Sequence, residues 1–160
     1  MLQLQLIDRD RKDTMKNMYQ TDNIALITVR QLSTTDFNHI FVTKDMIDGN
    51  TISTQTREYN YIFPRWIANP QSKISNLDKT IFQSVKSFIK EGTENLVDED
   101  AFFSYIYAIL HSKQYRSRYY SQLKIAFPRI PITDDFSLFS EIASLGRRLL
   151  ELHLMENVNN

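Results

Sequence analysis

Phe102-Phe-Ser-Tyr-Ile-Tyr-Ala-Ile-Leu110 is apolar on nearly every side of the helix it would form. A helix without a polar face is normally surrounded by other elements. The stretch therefore predicts the buried centre of a helical bundle, started by Asp98 as its N-cap. Outward from it, the C-terminal half reads as helical throughout. Asn76-Leu-Asp78 can cap a helix to about Lys90, with Ile81, Val85 and Ile89 at every fourth position, and Glu91-Gly92 ends it. A further helix is expected from Lys113 to about Ile125. Phe127-Pro-Arg-Ile-Pro131 is an extended break, because proline disfavours helix at its own position and the one before it. Thr133 or Asp134 then caps a last helix to about Met155, with Phe136, Phe139, Ile142, Ala143, Leu145, Leu149 and Leu152 as its apolar stripe. The polar residues 157–160 are expected to fray.

The N-terminal half has a different texture. Residues 10–18 suit a short helix with Met15, Met18 and Tyr19 on one face and residues 8–13 solvated. Asn23-Ile-Ala-Leu-Ile-Thr-Val-Arg30, His39-Ile-Phe-Val-Thr43 and Tyr59-Asn-Tyr-Ile-Phe63 are rich in branched and aromatic residues, as strands are. Asp48-Gly49 is a turn signal between the last two. The expected fold is α+β: a small β-rich lobe over residues 1–75, then a helical lobe of about four helices over residues 76–160.

Composition narrows the function. The chain has 160 residues, with 19 Lys+Arg against 19 Asp+Glu, no Cys and 3 Gly. Neutrality argues against nucleic-acid binding driven by bulk charge. The missing Cys excludes disulfides, thiolate zinc sites and a Cys nucleophile. Three scattered glycines form neither GxGxxG nor GxxxxGK[ST], so no phosphate-cradling loop can be drawn. No apolar run approaches the roughly 20 residues that span a bilayer, and the first residues lack a secretory pattern. The expectation is a cytoplasmic protein without a membrane segment.

No catalytic constellation assembles. His39, His111 and His153 are far apart in sequence, and neither HxxxH nor HExxH occurs, so catalytic and metal-ligating residues are expected to be absent. Asp98-Glu-Asp100 and Asp134-Asp135 precede predicted helices, where acids serve as caps. Asn69-Pro-Gln71 lacks the second proline and the aromatic residue of the Asn-Pro-Pro-aromatic methyltransferase motif. Lys113-Gln-Tyr-Arg-Ser-Arg-Tyr-Tyr-Ser-Gln-Leu-Lys124 is basic and free of acid. Its Tyr115, Tyr119 and Leu123 form a core stripe, which leaves Arg116 and Arg118 as phosphate candidates. Arg30-Gln31 and Lys44 follow strand-like runs, and Arg57 lies in a polar stretch. Arg and Gln side chains suit paired hydrogen bonds to base edges.

The order of these blocks resembles the C-terminal region of type ISP, single-polypeptide restriction–modification enzymes and related fused restriction–methylation proteins. The blocks are Asn23-Ile-Ala-Leu-Ile-Thr-Val-Arg-Gln31, His39-Ile-Phe-Val-Thr43, Tyr61-Ile-Phe-Pro64 and Asn76-Leu77. They continue with Ala101-Phe-Phe-Ser-Tyr-Ile-Tyr-Ala-Ile-Leu-His-Ser112, Tyr115-Arg-Ser-Arg-Tyr119, Phe127-Pro-Arg-Ile-Pro131, Leu138-Phe139, Leu145-Gly146 and Leu152-His-Leu154. The resemblance spans about residues 12–156. Phe63-Pro-Arg-Trp66 departs from it, with Arg65 where an apolar residue is usual.

The resemblance implies a target-recognition domain for double-stranded DNA, non-catalytic by itself, with its β lobe N-terminally truncated. Nuclease, helicase-like ATPase and adenine methyltransferase domains of a parent enzyme are the implied protein partners. S-adenosylmethionine, ATP and Mg2+ are implied for that parent only, and no cofactor for this chain. Candidate DNA contacts are Arg30, Gln31, Lys44, Arg57 and Arg65, with Arg116 and Arg118 toward phosphates. The alternative is a docking module of such an enzyme without direct DNA contact.

Overall fold

The computed structural model describes residues 2–3, 14–19, 21–33, 36–69, 72–89 and 97–156. The fold is α+β. In chain order its elements are β1 (Leu2–Gln3), β2 (Ala25–Val29), β3 (Ile40–Thr43), β4 (Asn60–Pro64), β5 (Trp66–Asn69), β6 (Ser72–Ser75), α1 (Lys79–Phe88), α2 (Glu99–His111), α3 (Lys113–Arg118), α4 (Tyr120–Leu123), β7 (Arg129–Ile130) and α5 (Phe136–His153). They fall into two compact units that interleave along the chain. One comprises Met1–Gln3, Leu77–Ser112 and Arg129–Asn160; the other comprises Leu4–Asn76 and Lys113–Pro128.

These units are not the contiguous lobes 1–75 and 76–160. The basic segment Lys113–Pro128, expected in the helical lobe, groups with the strands, and among the described residues the helical unit has three helices where about four were expected in the lobe. Aromatic packing explains the transfer. The Phe127 ring meets Tyr61 edge-on at 5.0 Å and Phe63 at 5.8 Å, both from β4. The Leu32 N–H also donates to the Lys124 carbonyl at 3.1 Å.

In the strand-rich unit, β2 is the middle of an antiparallel sheet of order β3-β2-β4. All five β2 residues are buried, which explains why Thr28 is its only polar residue. Registers pair Ala25 with Thr43 and Pro64, and Thr28 with Ile40 and Tyr61. Asp48 makes the expected turn, its carboxylate accepting from the Asn50 N–H at 2.7 Å. That turn joins no neighbouring strands, because β2 lies between β3 and β4. A β-carbon on Gly49 would overlap the Tyr59 ring, so a larger residue there would have to displace that ring. Met18 is buried as expected, whereas Tyr19 is exposed.

The helical unit is built on α2 and α5. Asp78 and Asp98 cap α1 and α2 as expected, accepting from the Ile81 and Ala101 N–H groups. The cap of α5 is Asp135, not Thr133 or Asp134. Its carboxylate accepts from Ser137 and Leu138, while the Thr133 hydroxyl is used to accept from the Asp135 N–H. The expected helix from Lys113 to Ile125 is two short ones, divided at Tyr119 (φ −107°, ψ 19°). Residues 8–13, Glu91-Gly92 and residues 157–160 lie outside the described residues.

Helices α2 and α5 approach until their backbones touch. A β-carbon on Gly146 would overlap the Ser104 carbonyl and lie 3.2 Å from the Ala108 methyl. Tyr105 stacks on Phe139 at 4.7 Å, and its hydroxyl donates to the Pro131 carbonyl at 2.9 Å. Burial raises the Tyr105 pKa above the ordinary phenol value, and a backbone hydrogen bond with Thr133 offsets part of that rise.

Two outcomes follow for this unit. Gly146→Ala improves helix propensity by about 1 kcal/mol, yet it should lower stability by roughly 1–3 kcal/mol through overpacking, read from urea denaturation midpoints. The second concerns alkaline pH. Because the folded state holds Tyr105 un-ionised, its contribution is complete below the unfolded phenol pKa of about 10 and is lost as pH rises through the raised folded value. Denaturation midpoints measured across that range should fall less steeply in Tyr105→Phe than in the parent chain.

Candidate functional site

All seven residues singled out in the sequence belong to the strand-rich unit. The registers sort them. Because β2 runs antiparallel to β3 and β4, the end of β2 meets the beginnings of the other two. Arg30 and Gln31 follow β2, and Arg57 precedes β4, so these three share one end of the sheet. Asn38, just ahead of β3, is at that end too. It accepts a hydrogen bond from the Arg116 guanidinium at 3.0 Å, and that guanidinium lies 5.9 Å from the Phe37 ring centre. Arg116 of α3 thus joins the same end.

Lys44 follows β3 and Arg65 follows β4, which puts both at the opposite end. Five strand residues separate the ends, roughly 15 Å or more. Arg65 is half-buried, its guanidinium carbon 5.2 Å from the Trp66 ring centre. Its backbone N–H donates to Ile24 and its carbonyl accepts from Asn76. Packing against an aromatic face explains how a cation occupies a position where an apolar residue was expected. Arg118 is exposed and lies over its neighbour Tyr119 at 5.7 Å. The structure therefore gathers Arg30, Gln31, Arg57 and Arg116, and sets Lys44 and Arg65 apart. Arg30, Gln31 and Arg57 are exposed.

The gathered end is organised by a residue the sequence reading missed. Glu58 is fully buried. Its Oε1 accepts from the Ser33 N–H at 2.7 Å. Its Oε2 accepts from the Ser53 hydroxyl at 2.6 Å and is 3.2 Å from His39 Nε2. One carboxylate thus fixes the segment after β2, the approach to β3 and the loop before β4. Arg30, Gln31 and Arg57 ride on the first and last of these. A lone glutamate in a Ser/Thr-rich stretch carries no pattern that marks it as buried; only its partners, 5 to 25 residues away, do so.

Amide side chains hold the remaining segments. Asn23 Nδ2 donates to the Trp66 carbonyl at 2.7 Å and to Asn17 at 3.1 Å, while its Oδ1 accepts from the Trp66 N–H. Asn60 Nδ2 donates to the Asp48 carbonyl at 2.9 Å. The resulting surface offers guanidinium and amide donors on fixed loops. Among the described residues no group of His, Asp and Glu could hold a metal ion, and no helix is long and apolar enough to cross a membrane.

Removing the Glu58 carboxylate strands a buried amide, a hydroxyl and an imidazole. Glu58→Ala should cost about 3 kcal/mol, read as a shift in the urea midpoint, with Glu58→Gln losing less.

Comparison with known proteins yields a family and several similar solved structures. A family model described as the Type ISP C-terminal specificity domain matches residues 1–160. The chain is similar in fold to part of a structure titled as the cryoEM DrdV–DNA complex, with a TM-score of 0.67 and 22% identity over 83% of this chain. It is also similar to part of the ATP-dependent Type ISP restriction-modification enzyme LlaBIII bound to DNA, with a TM-score of 0.64 and 19% identity over 84% of this chain. The matched region spans 12% of the first of those chains and 8% of the second. No curated protein matches significantly.

Proposed function

This chain belongs to the Type ISP C-terminal specificity domain family, and on that premise we propose that it reads double-stranded DNA with the sheet end bearing Arg30, Gln31, Arg57 and Arg116. The observation that carries this reading is the convergence of those four at one end of the sheet, three on segments tied by Glu58 and Arg116 on α3 with its guanidinium donating to Asn38. Arginine forks suit guanine edges and phosphates, and glutamine suits adenine. Fixed loops matter because discrimination depends on donors whose positions do not adjust to the wrong base. Arg118 supplies a further phosphate contact. Lys44 and Arg65 take no part in base reading.

In this proposal the chain is non-catalytic, binds no cofactor and acts in the cytoplasm. The parent would be an adenine-specific DNA methyltransferase and restriction endonuclease, whose methyltransferase, helicase and nuclease domains are the protein partners. S-adenosylmethionine, ATP and Mg2+ would serve those domains. Tethering raises the effective concentration of a weakly binding reader, which reconciles DNA recognition with a net charge of zero.

Duplex DNA selected from a random pool by the 160-residue chain provides the test. The Arg30→Ala/Arg57→Ala variant should lose roughly 1–3 kcal/mol per contact removed and show a shallower dependence on salt. Lys44→Ala should bind as the parent does. Unchanged affinity in the double variant, with its fold intact, rejects this end of the sheet as the reading surface.

A further inference from the structure

We propose that α5 pairs in antiparallel fashion with the α5 of a second copy of this chain. The helix carries two apolar seams. The first, Phe139, Ala143, Gly146 and Leu150, is buried. His153 continues its spacing and meets the Tyr107 hydroxyl at 2.6 Å through Nδ1. The second is Leu138, Ile142, Leu145, Leu149 and Leu152, with the same alternation of four- and three-residue steps. It starts one residue earlier and so lies about 100° around the helix. A 4-3 alternation is the spacing with which one helix packs along another. The second seam faces outward along one edge: Leu138 is 46% exposed, Leu145 60% and Leu152 59%, while Ile142 and Leu149 are half-buried.

Symmetry identifies the occupant. A twofold interface must be its own complement, and this seam is. With Leu145 on the axis, Leu138 falls opposite Leu152 of the second copy and Ile142 beside its Leu149. Glu141 and Arg148, both exposed, border the seam on the side away from α2. The antiparallel arrangement sets Glu141 at the level of Arg148 of the second copy, within about one helical rise, and does so twice. Glu141 thus faces an opposite charge rather than its own kind. The seam is short compared with a standard interface, so association is weak and depends on concentration.

Sedimentation velocity of the 160-residue chain over a concentration series tests the pairing. The mass should rise from that of one 18.9 kDa chain toward twice that value. Leu145→Glu should keep the chain monomeric, and its exposure means the fold is unaffected, which circular dichroism checks. E141R and R148E should each weaken the dimer, whereas E141R/R148E together should restore it. A chain that stays monomeric at every concentration overturns the proposal and leaves the seam to a different partner. A dimer that survives Leu145→Glu, or a double variant weaker than both singles, overturns the antiparallel α5 pairing.

Discussion

Gly146 has no room for a side chain, and the helical unit depends on that. A β-carbon here would collide with the Ser104 carbonyl, so α5 lies this close to α2 only with the Gly146 face turned inward. That setting stacks Phe139 on Tyr105 and brings His153 to the Tyr107 hydroxyl. It also decides which leucines are left outside. A larger residue at this position would separate the helices and disturb the whole set of contacts between them.

The strand-rich unit rests on a different kind of interaction. Among the described residues its central sheet has three strands with long loops between them, and β5 and β6 pair separately. Buried hydrogen bonds hold these loops, centred on Glu58, Asn23 and Asn60. A buried carboxylate with several donors has little freedom to relax, because any shift leaves one donor unsatisfied. The exposed side chains on these loops are therefore carried on a frame held by buried hydrogen bonds.

Legibility in the sequence followed the range of the interactions. The caps at Asp78 and Asp98 were readable because a carboxylate and the N–H three residues on are local partners. The cap of α5 was displaced to Asp135 because Thr133 was needed one step earlier. Leu145 and Leu152 were expected in the core. Periodicity identifies an apolar stripe but not its occupant, and the tight α2 contact selected the adjacent stripe. Assigning Lys113–Pro128 to the helices failed for the same reason: Phe127 finds its partners on β4, more than sixty residues away. At the site, the exposed arginines could be named from composition, but their division between two sheet ends came from register. Glu58 left no sequence trace.

The interleaving of the units bears on how specificity could be exchanged between relatives. The strand-rich unit is assembled from two separated stretches, Leu4–Asn76 and Lys113–Pro128, with α1 and α2 lying between them in the chain. A single recombination crossover near residue 76 would import a new sheet but retain the old Phe127 and Arg116, pairing them with an unfamiliar Tyr61, Phe63 and Asn38. A transplant that preserves packing has to carry both stretches.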